Sequence, residues 1–460
     1  MRNPSYLFSW LHVGIFVLSF VTNEVDYLVY ASTVISVIMV LEKLGRGIVL
    51  REVIALYNSF ICLFMPLMGY IYYTTNNKIA ASFVRFMPIS KETYFDLALP
   101  AVTGFIIFLC WPLNKENADD GASLQRIIEN AKKSLIGNEK IGFVLLGLGV
   151  MISLVIQELP QFLQYLFTLL YFSSFAGLMY IYFTPKLPFK NTIMILFGLF
   201  ILSNSLRNGM FTILAYMGMT LFSFFFLNTR AAMWKKLIVF SFSVVVLIII
   251  QSVKSEYRRT VLKTNKENKA SAFVDLAMKN LNSAGSFISP DFMWPIYYRT
   301  NQGFYVALVQ KYIPRSKPHD KGEKLFLGMA SAFVPRLLWP DKPMAGGIAN
   351  MKYYTGYTIK GYTTNVGPLG EGYGSFGVTG AVVFMMCLGA FIRFAYKKVF
   401  SLSAKVPLLV FWLPVLFYEV TYSGENDTLQ IMNSLVKSAF FVFLIYKAFP
   451  RVLNPQRVVT

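Results

Sequence analysis

Runs of apolar residues long enough to cross a bilayer recur along the whole chain, and no other feature constrains its fold as strongly. A membrane-spanning helix needs about 20 mainly apolar residues to cross roughly 30 Å of hydrocarbon. Hydrophobic residues make up 55% of the chain and charged residues only 14%, whereas soluble domains carry about 25% charged residues. This composition excludes soluble, disordered, fibrous and disulfide-scaffold proteins. The sequence therefore predicts an all-α polytopic membrane protein.

Twelve apolar runs are interpreted as spans, with boundaries placed to within about four residues; the run 141–156 is short, and 192–207 is separated from 209–228 only at Arg207-Asn208. The first run has neither a strongly basic lead nor a small-residue cleavage site. It is therefore interpreted as a span and not as a signal peptide. The predicted spans are 5–22, 26–42, 53–74, 93–113, 141–156, 161–183, 192–207, 209–228, 237–253, 372–396, 406–424 and 429–447.

Lysines and arginines indicate the orientation of these spans, because they concentrate in short cytoplasmic loops. Three short loops without Lys or Arg are predicted to lie outside: 23–25, 157–160 and 423–427. The alternate connections are basic, so both termini are predicted to be cytoplasmic. The 75–92 loop, with Lys78, Arg85 and Lys91, is the one short outer loop that departs from this pattern.

One long polar segment separates nine spans in 1–253 from three in 371–460. This segment, 254–370, contains seventeen Lys and Arg against seven Asp and Glu, a net charge of +10. The topology places it outside the membrane, in the periplasm. Its charge suits either an unspecialised solvated surface or an anion site at the outer membrane face. The anion site is favoured because aromatic, Pro and Gly residues alternate with the cations.

Two stretches of the long segment have the periodicity of amphipathic helices. Residues 270–285 put Phe273, Leu276 and Leu281 on one helical face, and residues 302–313 form a second candidate. Such helices are expected to lie on the bilayer and hold the segment against it. The inner loop 114–140 is polar, and it is predicted to be a solvated loop with one short helix.

Three cations near the outer ends of spans are candidate phosphate ligands. They are Arg207, in SNSLRNG, and Lys254 and Arg258, in QSVKSEYR. A guanidinium fits two phosphate oxygens at once, and a lysine adds a point charge. The alternatives remain open: Arg207 suits an ordinary loop charge in a helical hairpin, and Lys254 and Arg258 suit snorkelling at the interface.

Two further motifs in the long segment supply candidate pyrophosphate and sugar ligands. These candidates are Arg299 and Gln302, in YRTNQG, and Arg336, Trp339 and Lys342, in PRLLWPDKP. Proline stiffens the second motif, and tryptophan suits either the headgroup level or stacking on a sugar ring. An interfacial anchor loop would have the same composition.

The motif LGEGYGSFGVTG, from Leu369, leads the chain into the tenth span. Glu371 is the only carboxylate between Asp341 and Glu419, and it is the candidate general base for a sugar hydroxyl. Tyr373 is a candidate sugar ligand. Two alternatives stay open. Glu371 is equally suited to pairing with an arginine, and the regularly spaced glycines suit close helix packing.

The remaining reactive side chains indicate no further chemistry. All three cysteines fall inside apolar runs, so a disulfide framework or a metal cluster is not expected. His12 is predicted to be a core or interfacial residue, and His319, in RSKPHDKG, an exposed loop residue. The sequence contains no P-loop, zinc motif or nucleic-acid module, so no metal, cofactor or nucleic-acid partner is predicted.

Taken together, these motifs resemble those of the Wzy-type oligosaccharide repeat-unit polymerases, which assemble O-antigen, capsule and exopolysaccharide. The resemblance rests on QSVKSEYR, YRTNQG, VPRLLWPDKP and LGEGYGSFGVTG, in that order, and on twelve spans with one large outer loop. It covers most of the chain, and its specific part lies in the second half.

The resemblance implies a glycosyltransferase that uses a lipid carrier, with a GT-C-like architecture, at the outer face of a bacterial inner membrane. It would join undecaprenyl-pyrophosphate-linked repeat units. The basic outer site would hold the pyrophosphate, and grooves between spans would take the polyprenyl tails. Membrane lipids, a chain-length regulator and a flippase are the implied partners.

Three alternatives are retained. An O-antigen ligase shares the architecture and the carrier, but it is expected to use a histidine in the large outer loop, and the only one there, His319, lies in a turn-like Lys/Pro context that does not resemble that motif. A lipid-linked oligosaccharide flippase or transporter is disfavoured, because residues 1–230 and 231–460 show no internal repeat. A scaffold for polysaccharide export would have no chemistry.

Overall fold

The computed structural model describes residues 4–114, 119–208, 212–229, 231–257, 269–283, 290–334, 338–360 and 363–455. Within these ranges the chain is built from helices, and no strand is found beyond isolated bridges at Gly47. Eight helices are long and apolar enough to cross a membrane. The chain is a helical membrane protein, as the composition predicted.

Twelve helices precede the long loop. They are α1 (Pro4–Leu18), α2 (Val25–Lys43), α3 (Leu50–Ser59), α4 (Met65–Ile71), α5 (Lys78–Ser82), α6 (Lys91–Cys110), α7 (Gly121–Leu135), α8 (Lys140–Val155), α9 (Gln161–Phe183), α10 (Lys190–Asn208), α11 (Thr212–Phe225) and α12 (Met233–Tyr257). A π-helical segment, Phe60–Phe64, joins α3 to α4, so these helices form one continuous apolar rod.

Nine helices form the rest of the described chain. They are α13 (Lys269–Ser283), α14 (Pro290–Thr300), α15 (Gly303–Tyr312), α16 (Glu323–Ser331), α17 (Gly347–Thr355), α18 (Gly367–Ser403), α19 (Leu413–Thr421), α20 (Thr428–Ala448) and α21 (Pro450–Leu453). A short 3₁₀ helix, Pro407–Trp412, runs directly into α19.

Eight of the twelve predicted spans coincide with the eight long apolar helices. The other four predictions, 5–22, 192–207, 209–228 and 406–424, fall on helical segments with shorter described apolar stretches, for example Tyr6–Leu18 and Lys190–Leu206. The apolar runs therefore located helices at all twelve positions, eight of which are long enough to span a membrane.

Helix α6 lies at the centre of the bundle and packs against α1, α3 and α18. Gly389 of α18 faces the backbone of Phe105 and Leu109, so the absence of a side chain lets the two helices approach closely. Pro100 lies inside α6. The large loop packs onto this core through α15, which lies against α18.

A buried ionic cluster, made of Lys43, Arg51, Glu52 and Asp119, closes one end of the bundle. Lys43 Nζ lies 2.5 Å from Asp119 Oδ2 and 2.9 Å from Glu52 Oε1. Both Arg51 Nε and Nη2 donate to the Asp119 carboxylate. The cluster ties the connection after α6 to the α2–α3 connection.

The prediction that 114–140 is a solvated loop was wrong. Its short helix exists as α7, but Leu124, Ile127, Ile128 and Leu135 are buried in the main core. One apolar face of α7 packs on α9 and on the 3₁₀ helix before α19. A sequence window that is polar on average concealed this face, because its few apolar residues share one side.

The two amphipathic segments of the long loop are helices, but both pack on protein. In α13, Phe273 and Leu276 pack on Val253 and Tyr257 of α12. In α15, Val306 and its neighbours are fully buried in the main core. The expected role of α15 as a bilayer anchor is therefore wrong.

Candidate functional site

The amino-terminal end of α20 holds two carboxylates. Asp427 is the N-cap residue, and its Oδ1 accepts from the Gln430 amide at 2.5 Å. Glu371 Oε2 accepts from the Thr428 amide at 2.8 Å and from the Thr428 hydroxyl at 2.5 Å. The unpaired amides and the dipole at a helix start stabilise negative charge, so this position favours both carboxylates.

Segments of the large loop converge on the same two carboxylates. Asn350 of α17 donates to Glu371 Oε1 at 2.7 Å. The Gly346 amide and the Asn365 side chain donate to Asp427 Oδ2 at 2.8 and 3.2 Å. Both carboxylates are buried. The pair therefore fixes the loop to α18 and α20.

One lysine interacts with both carboxylates. Lys324 of α16 interacts electrostatically with Glu371, Asp427 and Asp320. Burial lowers the pKa of Lys324 to about 8, although these carboxylates act in the opposite direction. Lys324 Nζ also lies 3.9 Å from the ring centre of Tyr353. The site can therefore present a cation whose proton is held weakly.

Tyr353 links Lys324 to the charged turn that precedes α16. Its hydroxyl donates to Asp320 Oδ2 at 2.9 Å, and Lys317 Nζ lies over its ring. Burial lowers the pKa of Lys317, and Asp320 partly offsets this effect. Two ammonium groups around one aromatic ring form a compact cationic surface.

His319 lies at a break in α18. The backbone of Gly377 leaves the helical region, with φ 71° and ψ −166°, which suits glycine because it has no Cβ. His319 Nδ1 lies 3.0 Å from the Tyr373 carbonyl oxygen and 3.3 Å from that of Gly374. With the proton on Nδ1, the imidazole donates to these carbonyls and its Nε2 is an acceptor.

The prediction of an exposed loop histidine is therefore wrong for His319. The imidazole is half-buried, and its ring packs edge-on against Tyr373, with 5.5 Å between ring centres. Burial confirms the prediction of a core position for His12.

Three predicted binding residues surround the same region. Arg299 Nη2 lies 2.7 Å from Glu425 Oε2. The buried Gln302 donates through Nε2 to the Asn365 carbonyl at 2.8 Å, and the Tyr373 hydroxyl donates to the Ile313 carbonyl at 3.2 Å. The fold thus brings YRTNQG and LGEGYG together around the 424–428 turn.

The described part of the PRLLWPDKP motif, residues 338–343, lies at the other end of α16. Lys342 is buried, and its Nζ donates to the carbonyls of Ser331 and Val334 at 2.9 and 2.7 Å. These contacts satisfy oxygens at the end of the helix. Trp339 is half-buried. The lysine of this motif therefore has a structural role in the described conformation.

Four predicted ligands cannot be placed at the site. Arg258 and Arg336 lie outside the described residues. Arg207 and Lys254 lie in the last turns of α10 and α12, and their side chains are outside the described part.

The residues that sequence reasoning missed lie mainly in the run RSKPHDKGEK, residues 315–324. Its density of charge was a signal, but the same composition is typical of a solvated turn. Asp427 and Asn350 gave no local signal, because their partner Glu371 is distant in sequence. Among the described residues, no group of three His, Cys, Asp or Glu side chains could hold a metal ion.

The fold and this site define a helical membrane protein with a buried carboxylate pair and a lysine cluster where its large loop meets α18 and α20. The chain belongs to a family described as a domain of unknown function, DUF8712, whose model matches residues 2–449. No curated protein and no solved structure matches the chain.

Proposed function

We propose that this protein is a lipid-carrier-dependent glycosyltransferase that polymerises undecaprenyl-pyrophosphate-linked oligosaccharide repeat units into a surface polysaccharide. One observation carries the proposal: Glu371 and Asp427, distant in sequence, are both held at the start of α20, where Lys324 interacts electrostatically with both. His319 contacts the same stretch of α18 as Glu371, at the Tyr373 and Gly374 carbonyls. Acidic, basic and aromatic groups at the mouth of a membrane bundle suit a substrate with a sugar, a pyrophosphate and a lipid tail.

The proposed reaction transfers the growing chain to a sugar hydroxyl of the incoming unit. The hydroxyl oxygen attacks the anomeric carbon of the growing chain, and the bond from that carbon to the pyrophosphate oxygen breaks. Pyrophosphate leaves with the bonding electrons, while a base takes the hydroxyl proton. Lys317 and Lys324 stabilise the departing negative charge, because cations aimed at a developing anion lower the barrier.

Glu371 is the proposed base, and its contacts also hold the large loop against α18 and α20. Asn350 and Thr428 hold both carboxylate oxygens in place. Such positioning supports general-base catalysis, which contributes typically about 10²–10⁴-fold. The arginine partner considered from sequence is absent among the described contacts of Glu371, where an amide, a backbone amide and a hydroxyl take its place.

The decisive experiment uses purified protein in lipid vesicles with lipid-linked repeat units. Wild type should form chains of many repeats, whereas Glu371→Gln and Lys324→Met should accumulate single units. Lys352→Met, at an exposed lysine of α17, is the matched control and should polymerise normally. Transbilayer movement of the lipid-linked unit without any product would contradict the proposal and favour a flippase.

A ligase that transfers completed chains to lipid A core is the second candidate, and His319 favours it. Its imidazole lies at the α18 break with Nδ1 directed at carbonyl oxygens, which orients the ring for base chemistry at Nε2. The two activities are distinguished by the acceptor. Product on lipid A core that is lost in His319→Ala would identify a ligase, and elongation of repeat units would exclude it.

The proposed function also fixes a location and an orientation. The protein would lie in a bacterial inner membrane with both termini cytoplasmic, and the α16–α17 region would be periplasmic. Single cysteines at Lys360 and Glu129, both exposed, test this in intact spheroplasts with an impermeant thiol reagent. Labelling at position 360 alone is expected, and labelling at position 129 alone would reverse the orientation.

A further inference from the structure

Arg85 is a buried residue in an exposed segment. The predicted outer loop between α4 and α6 contains Phe83 and Val84, which are 60% and 70% exposed, whereas Arg85 is 6% exposed. Val84 has φ 49°, a left-handed conformation that is strained for a β-branched residue. This turn directs the next side chain, Arg85, into the protein.

The guanidinium of Arg85 lies inside an aromatic cage. Its central carbon is 3.8 Å from the ring centre of Phe304, 4.6 Å from that of Tyr305 and 4.8 Å from that of Tyr298. Each ring face attracts the cation. Tyr298 is 40% exposed and is the most open of the three rings.

Arg85 differs from every other buried cation in the described chain. The others donate to protein oxygens: Lys43 and Arg51 to Asp119, Lys236 to the Leu41 carbonyl, and Lys342 to two carbonyls. Arg85 Nε and Nη2 are buried without a hydrogen-bond partner among the described residues. Buried polar groups are nearly always paired, so this pair of donors indicates a missing acceptor.

The two unpaired donors are on the same edge of the guanidinium. That edge is the one that binds two oxygens of a phosphate or carboxylate side by side. The neighbouring cations lack this property, because Lys91 is paired with Asp26 and Arg299 with Glu425. We propose that Arg85 is a binding site for a phosphate or pyrophosphate group, held by its Nε–Nη2 edge within the ring cage of Tyr298, Phe304 and Tyr305.

This site shares no residue with the Glu371 site, and phosphate binding there does not require the transferase reaction. The inference therefore goes beyond the proposed function. Because Nε and Nη2 are shielded, the ligand must displace a ring, and Tyr298 is the ring with the most freedom to move. The exposed Phe83 and Val84 beside the cage suit an acceptor carried by a lipid.

The test measures binding to purified protein in detergent by titration and by the shift in thermal unfolding temperature. The probes are inorganic pyrophosphate, farnesyl pyrophosphate and farnesol. Wild type should bind farnesyl pyrophosphate and be stabilised by it, whereas farnesol should give no shift. Binding of inorganic pyrophosphate as well would identify a site for the free anion, and binding of farnesyl pyrophosphate alone would identify a lipid-borne group. Equal binding of farnesol would overturn the proposal.

Two variants separate the hydrogen-bonding edge from the charge. Arg85→Lys keeps the charge and loses the edge, and Arg85→Met keeps only an apolar stem that packs well on aromatic rings. Both should weaken pyrophosphate binding by at least about 30-fold. Lys78→Met, in the same loop at an exposed position, is the matched control and should bind as wild type does.

A purely structural role for Arg85 makes a different prediction. Its variants would unfold at lower temperature, but wild type would bind no pyrophosphate, and this outcome overturns the proposal. If neither Arg85 variant folds, Tyr298→Ser keeps the guanidinium and opens the cage, so pyrophosphate should associate faster; an unchanged rate would overturn the proposal. Arg85 variants that lose pyrophosphate binding but still polymerise repeat units would leave the proposed function unaffected.

Discussion

The amide and the hydroxyl of Thr428 both donate to one carboxylate oxygen of Glu371, at 2.8 and 2.5 Å. Fifty-seven residues separate the two positions. The contact joins the start of α18 to the start of α20, and Asn350 adds the loop to the same carboxylate. A substitution at either residue should therefore lower the stability of the contact between α18, α20 and the large loop, as well as alter the chemistry of the site.

Thr428→Val tests the stability of that contact. Valine keeps the side-chain shape and the backbone amide but removes the hydroxyl donor to a buried carboxylate. Hydrogen bonds to charged groups contribute about 1.5–3 kcal/mol, so the unfolding free energy should fall by roughly that amount. Thr428→Ser keeps both donors and should lose much less. Unfolding in detergent measures both variants, and equal stability of the two would show that the hydroxyl contributes nothing.

Lys324 should give the protein a pH-dependent stability in mild alkali. Burial lowers its pKa in the folded protein to about 8, below the ordinary value of 10.5. Between these values the unfolded chain binds more protons than the folded one, so stability rises with pH. Below pH 8 both states are protonated, and Lys324 adds no slope.

The measurement compares unfolding temperatures between pH 7.5 and 10 for wild type, Lys324→Met and the control Lys352→Met. Lys324→Met should lose part of the increase in unfolding temperature with pH. It should also be more stable than wild type near neutrality. A wild-type profile that parallels that of Lys324→Met would mean that Lys324 is not desolvated.

Asp119→Asn should weaken the ionic cluster at the opposite end of the bundle. Two buried cations, Lys43 and Arg51, would lose their shared carboxylate. Removing one partner of a buried pair typically costs about 3–5 kcal/mol. Faster proteolysis within 114–140 and lower abundance in the membrane are the expected results. Glu129→Gln, an exposed substitution in α7, serves as the control and should change neither quantity.

The same carboxylate predicts the acid dependence of this cluster. Burial alone raises the pKa of Asp119, but Arg51 and Lys43 outweigh burial and lower it to about 2. The stabilisation is therefore present above the ordinary value of 3.8 and is lost as pH falls towards 2. The proteolysis difference between wild type and Asp119→Asn should shrink over that interval, and a constant difference would argue against the paired charge.

Gly377→Ala should destabilise the break in α18. A side chain at φ 71° and ψ −166° costs on the order of 1–3 kcal/mol, and it would stand against the His319 imidazole, whose nearest atoms are 3.7 Å from the added carbon. Gly198→Ala provides the contrast, because Gly198 is helical with open space around it. The thermal unfolding temperature should fall for Gly377→Ala and should stay the same or rise for Gly198→Ala. Unchanged stability of Gly377→Ala would show that the non-helical backbone at position 377 does not require glycine.

Composition and long apolar runs determined the class of the protein and the positions of its membrane helices, because a lipid environment imposes runs that are visible one residue after another. Amphipathic periodicity also predicted helices at 270–285 and 302–313. The same periodicity led to the prediction that these helices lie on the bilayer, whereas both pack on protein. A half-apolar helical face looks the same whether it lies on lipid or on α12 or α18.

Some residues of the candidate site could likewise be predicted from the sequence, and others could not. Glu371 could be selected from sequence because it is the only carboxylate between Asp341 and Glu419, and Gln302 and Tyr373 because they lie in the motifs YRTNQG and LGEGYGSFGVTG. Asp427, Asn350, Lys324 and His319 could not, because their significance comes from partners far along the chain. The anomalous cations of 75–92 were visible as an exception to the charge pattern, but only the tertiary structure separates Lys91, paired with Asp26, from the cage around Arg85. Sequence fixes which residues are costly to bury, whereas packing decides which partner compensates for that cost.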